Sequence, residues 1–174
     1  RENQEFYATV TQVNGPASVT VDEKLADGNL VKTGANGWVA LSFPDGSVVT
    51  LAPSSTFKVR LLEYHRGGQW RGRSFTLLAG RLWARISPKF GRDSRCKVHT
   101  PSSVAAVRGT RFSVAYDPSR KTTYLACSDG QVDVAGFTGR GTQLGQDTLT
   151  SVVYGRGTER RAQIDVATRS SFNQ

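Results

Sequence analysis

With 174 residues and a formal net charge of +9, the chain is long enough for one domain with a substantial core and cramped for two. Its 18 glycines, its many Val, Thr and aromatic residues and its lack of long Leu/Ala/Glu/Lys stretches exclude a helical bundle and point to β structure. There is no run of about 18 apolar residues, so the sequence contains no apolar membrane-spanning helix.

In chain order, residues 1–5 read as an N-terminal tail, and from residue 6 onward short alternating segments separated by turn residues predict half-buried strands. Val39, Leu41 and Phe43 share one face, and Trp38, Ala40 and Ser42 the other. The alternation recurs in Phe57, Val59 and Leu61, in Leu82, Ala84 and Ile86, in Phe112, Val114 and Tyr116, and in Leu125 and Cys127. These sets are the predicted core. Three Asp-Gly pairs, Asp27-Gly28, Asp45-Gly46 and Asp129-Gly130, predict chain reversals, because such pairs suit turns that need positive φ. Asp45-Gly46 is the clearest hairpin signal. Residues 63–74, with Arg66-Gly67-Gly68 and Arg71-Gly72-Arg73, read as a polar loop or wide hairpin tip, and Ser87 to Ser94 as a second loop. From Thr158 the alternation fails, so the expected domain is 6–157 and residues 158–174 form a tail or short terminal element.

Gly followed by alternating apolar residues recurs at Gly15, Gly37, Gly46, Gly80, Gly109 and Gly130 without a fixed period. The fold class is therefore all-β in a single domain, either an irregular β-solenoid-like stack or a twisted two-sheet sandwich.

The charge is concentrated. Between Lys58 and Lys97 there are eleven basic residues against only Glu63 and Asp93, while the remainder is neutral. A contiguous basic surface over this stretch would attract a polyanion: nucleic acid, acidic glycan, lipopolysaccharide phosphate or an acidic protein face. A solvated sheet edge that resists pairing is the plainer alternative. Tyr64, Trp70, Phe75, Trp83 and Phe90 lie among the bases and could stack on sugar rings or bases, although sheet packing explains them as well. The candidate partner residues are Arg66, Trp70, Arg71, Arg73, Arg81, Arg85, Lys89 and Arg92.

Catalytic signals are sparse. The chain has no GxSxG elbow, no HExxH and no phosphate loop, and Gly139-Arg140-Gly141 with Gly145 has the wrong spacing for a dinucleotide fingerprint. His65 and His99 are far apart in a segment poor in carboxylates, and no cofactor or metal is expected. Convergent carboxylates of a polysaccharide-active enzyme would not show in sequence. Cys96 and Cys127 lack a CxxC or paired-histidine context, which leaves a single bridge or two buried thiols. The chain has no methionine and begins at Arg1, as it would after loss of an export signal or after cutting elsewhere; export is the expectation.

The ordered signals from Gly15 to Val134 resemble the FecR domain family. They are Gly15, Leu25, Leu30, Lys32-Thr33-Gly34, Trp38 running into Asp45-Gly46-Ser47, Leu51-x-Pro53-Ser54-Ser55, and Gly80-Arg81-Leu82. The most specific part is Thr100-Pro101, then Val107-Arg108-Gly109-Thr110-Arg111-Phe112, then Gly130-Gln131-Val132. The resemblance implies a non-enzymatic, extracytoplasmic interaction or sensing module of a bacterial envelope. The partner expected of such a module is an envelope protein; the basic, aromatic stretch from Lys58 to Lys97 offers the alternative of an acidic glycan or other polyanion, with nucleic acid less favoured. It also implies that Cys96 and Cys127 lie on strands of one late sheet and are joined in an oxidising compartment. Within the signature, Gly109 gives backbone freedom or room for a close approach, and Thr100-Pro101 closes one strand and sets an extended start to the next. Arg108 either braces loops from within or meets an anionic ligand, and bracing is favoured.

Overall fold

The computed structural model describes residues 8–43, 46–65, 69–87, 95–136, 141–153 and 157–163; for 61–65, 69–73, Arg95, Arg108 and 157–163 the description is of the backbone alone. Among these residues the protein is all-β in one domain. The strands of its first half are β1 (Ala8–Asn14), β2 (Lys24–Leu25), β3 (Leu30–Lys32), β4 (Trp38–Ser42), β5 (Val48–Leu51), β6 (Thr56–His65) and β7 (Gln69–Arg85). Those of the second are β8 (Arg95–His99), β9 (Ser103–Asp117), β10 (Thr122–Gly136), β11 (Thr142–Leu144), β12 (Thr148–Val153) and β13 (Gly157–Gln163). They join in a 13-stranded sheet whose main path is β13-β12-β10-β9-β8-β7-β5-β4-β1-β2. Its pairings are antiparallel apart from β7 with β8.

The sheet is bent because β7 and β9 change neighbours partway along. Residues 69–79 of β7 pair with β6, and 72–76 also with β8, whereas 80–85 pair with β9 and 82–85 with β5. Gly80 stands at the change with φ +88°. A Cβ there would fall on the Ser55 hydroxyl and 2.5 Å from Ser55 Cα. That hydroxyl accepts from Arg81 N at 3.1 Å and donates to Arg81 O at 3.2 Å, which ties the corner together. Thr33 holds the other side: its hydroxyl donates to Ala52 O at 2.7 Å and accepts from Ser55 N at 2.9 Å.

The bend encloses one core. Phe57, Phe75, Phe112, Leu41, Leu51, Leu77, Leu82, Leu125 and Leu144 are its largest fully buried side chains. Phe43, which follows β4, meets Phe75 of β7 with ring centroids 5.1 Å apart, although β4 and this half of β7 are not sheet neighbours; the contact is made across the core. The core thus lies between parts of one sheet that are not hydrogen-bonded neighbours. The odd-even sets read from the sequence are buried as expected from Val39 to Cys127, with the side chain of Leu61 outside the description.

Three expectations are corrected. Asp129-Gly130 does not reverse the chain: it lies inside β10, flanked by register shifts against β9, and the partner strand carries its own positive-φ glycine, Gly109 at +56°. Of the two readings of 63–74 the hairpin holds, but it is narrower than expected: β6 and β7 pair antiparallel out to His65 and Gln69, with residues 66–68 outside the description. Cys96 and Cys127 are both buried and are not joined. Cys96 faces Val107 of β9 and Cys127 faces Phe112 of the same strand, so β9 stands between them. Two strand spacings amount to roughly 9.6 Å, beyond the roughly 4.5 Å that a disulfide spans between Cβ atoms.

Candidate functional site

Placement of the signature residues separates architecture from surface. Thr110 is buried, and its hydroxyl donates to Gln131 O at 3.0 Å across the paired bulges of β9 and β10. Phe112 enters the core, and Gly130 brings its backbone against Gly109 and Thr110. Gly46 turns the β4–β5 hairpin, donating its N–H to Phe43 O at 3.0 Å; Asp45 and the side chain of Arg108 lie outside the description.

Thr100 and Pro101 begin the β8–β9 turn. There the Thr100 hydroxyl accepts from Ser103 N at 3.0 Å and shares a hydrogen bond with the Thr123 hydroxyl of β10. The Ser102 hydroxyl also reaches Thr123 and donates to Val152 O of β12 at 3.1 Å. All three hydroxyls are buried, and they fasten the turn to β10 and β12 from within. The sequence reading missed Ser102 and Thr123; a Thr-Pro-Ser-Ser run after a strand was the available signal for the turn, but nothing local marked Thr123.

The outer face of the sheet is set by register. One row runs Ala40, Thr50, Trp83, Ser113, Ala126 and Leu149 over β4, β5, β7, β9, β10 and β12. The row on one side carries Val48, Arg85 and Arg111; the row on the other carries Arg81, Ala115 and Tyr124. Small residues hold the middle row low. Trp83 and Leu149 stand on it half-buried, Tyr124 is 40% exposed, and Arg81, Arg85 and Arg111 are exposed along both borders. An aromatic patch with arginines around it is the composition that protein interfaces favour.

Of the predicted partner residues, Arg81 and Arg85 therefore share one face with Trp83. Trp70, Arg71 and Arg73 have their backbones in β7 but their side chains outside the description, where Arg66, Lys89 and Arg92 also lie. Phe75 belongs to the core and is unavailable for stacking on a ligand. A second basic group forms where β6 and β8 flank β7: Lys58 lies opposite Thr76, and Thr76 opposite His99. His99 titrates below the usual histidine range, first because it is partly buried and then because Arg60 and Lys97 are close. Cys127 is pushed up to about 11 by burial, and its thiol lies 3.5 Å from the carbonyls of both Asp129 and Gly130. Among the described residues no three His, Cys, Asp or Glu side chains converge as a metal site would.

The family profile described as FecR protein matches residues 29–133, more than half of the chain. Two solved structures, at 1.65 Å and 2.50 Å, of a candidate anti-sigma factor from Parabacteroides distasonis share the fold. The first has a TM-score of 0.66 at 15% identity and the second 0.67 at 14%, each over 84% of this chain. This chain spans 65% and 64% of their lengths. No curated protein sequence matches.

Proposed function

We propose, from the premise that the chain belongs to the FecR protein family, that it is a sensing domain facing the bacterial envelope that works by docking a protein partner on its outer sheet face. Membership of this family supports a signalling or sensing role. One observation carries the proposal: Trp83, Tyr124 and Leu149 are gathered from three strands onto one face and bordered by Arg81, Arg85 and Arg111. An aromatic on a floor of small residues offers contact area at low entropic cost, and guanidiniums at the rim select an acidic border on the partner.

A photo-crosslinking residue in place of Tyr124, with a second at exposed Val21 as control, tests this in the native bacterium. The expected result is one discrete protein adduct in the envelope fraction from position 124 alone, lost when Trp83→Glu is added. Adducts of equal yield at both positions, or an adduct confined to the cytosolic fraction, would overturn the reading.

A further inference from the structure

The second basic group has a feature that a solvated sheet edge does not need. The Thr76 hydroxyl is buried, the residue being 8% exposed, and it has no hydrogen-bond partner among the described residues. A buried hydroxyl left unpaired costs about 1–3 kcal/mol, so its position calls for a partner. Thr76 is the middle of a row that has Lys58 on β6 and His99 on β8. The next row along β7 has Ser74, with Lys97 of β8 opposite it, and Arg60 of β6 sits at the adjoining bulge. Two hydroxyl side chains on the central strand are therefore flanked on both sides by bases, and Arg60 and Lys97 are exposed.

We propose that this surface around Thr76 is a binding site for a tetrahedral oxyanion, the chemical class of inorganic phosphate and sulfate and of phosphate or sulfate groups on lipids and glycans. Thr76 donates its hydroxyl to an oxyanion oxygen, Ser74 is placed to add a second donor, and Lys58, Arg60 and Lys97 supply charge. His99 joins as a third kind of donor once protonated, and the anion favours that protonation by offsetting the repulsion from Arg60 and Lys97. Other charges facing this part of the sheet are Lys32 on β3 and Asp133 on β10; Asp133 lies beyond β9 in the Lys97 row and accepts from Gln143 Nε2 at 3.0 Å. The site is separate from the outer face of the proposed function and does not depend on it.

His99 reports on its own site. Its imidazole resonance, assigned with a His99→Asn variant because His65 is the other histidine, would be titrated in sodium sulfate and in sodium chloride at equal ionic strength. Sulfate does not titrate in this range, and the expected result is an apparent His99 pKa higher in sulfate by about one unit. Thr76→Val should remove most of that difference and leave the protein as stable or more so in chloride, because valine leaves no orphan hydroxyl. Lys97→Gln, an exposed change, should weaken the response without touching the fold. A response to inorganic sulfate identifies a free-anion site. A response only to short-chain phosphatidylglycerol, and not to short-chain phosphatidylcholine, identifies the same chemistry presented by a lipid. Identical titrations with all of these anions, or a sulfate response undiminished in both variants, would overturn the proposal.

Discussion

At Gly46 the chain reverses between β4 and β5, whereas at Asp129-Gly130 it runs on through β10, although the two glycines have nearly the same φ, +88° and +84°. The dipeptide fixes a backbone sign and nothing more. At the first site the Gly46 N–H closes a turn on Phe43 O, and the space around the glycine is open: an added Cβ would meet nothing within 4 Å. At the second the neighbouring strand supplies a matching irregularity, and an added Cβ would lie 2.8 Å from Gly109 O and 3.1 Å from Thr110 Oγ1. A positive φ becomes a turn when the flanking segments pair with each other, and a bulge when each already has a partner on β9.

This contrast predicts a ranked series of alanine substitutions read as urea midpoints. Gly80→Ala should cost most, about 4 kcal/mol or outright failure to fold, since its Cβ would displace Ser55 from the corner that both halves of β7 share. Gly130→Ala should cost about 2–3 kcal/mol, combining the strain of positive φ with the approach to Gly109 O. Gly46→Ala should cost about 1 kcal/mol, from backbone strain alone, and Gly46→Asn less, because asparagine tolerates left-handed geometry. Equal losses at Gly46 and Gly130 would break the comparison by showing that φ, and not the packing around the bulge, decides the cost.

The same distinction explains what could be read from the residues. Burial of Val39, Leu41 and Phe43, or of Phe112, Val114 and Tyr116, follows from a period of two, which is a property of each strand by itself. The corners do not follow, because whether β7 is flanked by β6 and β8 or by β5 and β9 depends on pairings between distant segments. Arg81, Arg85 and Trp83 were visible as bases and an aromatic close in sequence, but Tyr124 and Leu149 reach the same face only through the β9–β10–β12 register. Thr76 looked like any strand threonine until Lys58 and His99 were placed on either side of it. The expected Cys96–Cys127 bridge failed for the same reason: family order names the sheet that holds both residues, not the strand that separates them.

The smallest effect sharpens the contrast from inside the bulge. Cys127 sits beside Asp129-Gly130, and burial, reinforced by the carboxylates of Asp129 and Asp147, raises its thiol from 9.0 to about 11. In the unfolded chain the thiol ionises near 9.0, so between that pH and about 11 the unfolded state sheds a proton that the native state keeps. The contribution to stability is complete below 9.0 and is lost as pH rises toward 11. The urea midpoint of the wild type should therefore fall more steeply over this interval than that of Cys127→Val, the difference cancelling the background from lysines and tyrosines. Gly130→Ala, by opening the bulge to water, should bring the native thiol back toward 9.0 and raise its alkylation rate at pH 8, while Gly46→Ala should leave both unchanged. Parallel slopes for the wild type and Cys127→Val would show that the thiol is not shielded by the bulge, and would remove the link between the strand irregularity and the chemistry of the residue beside it.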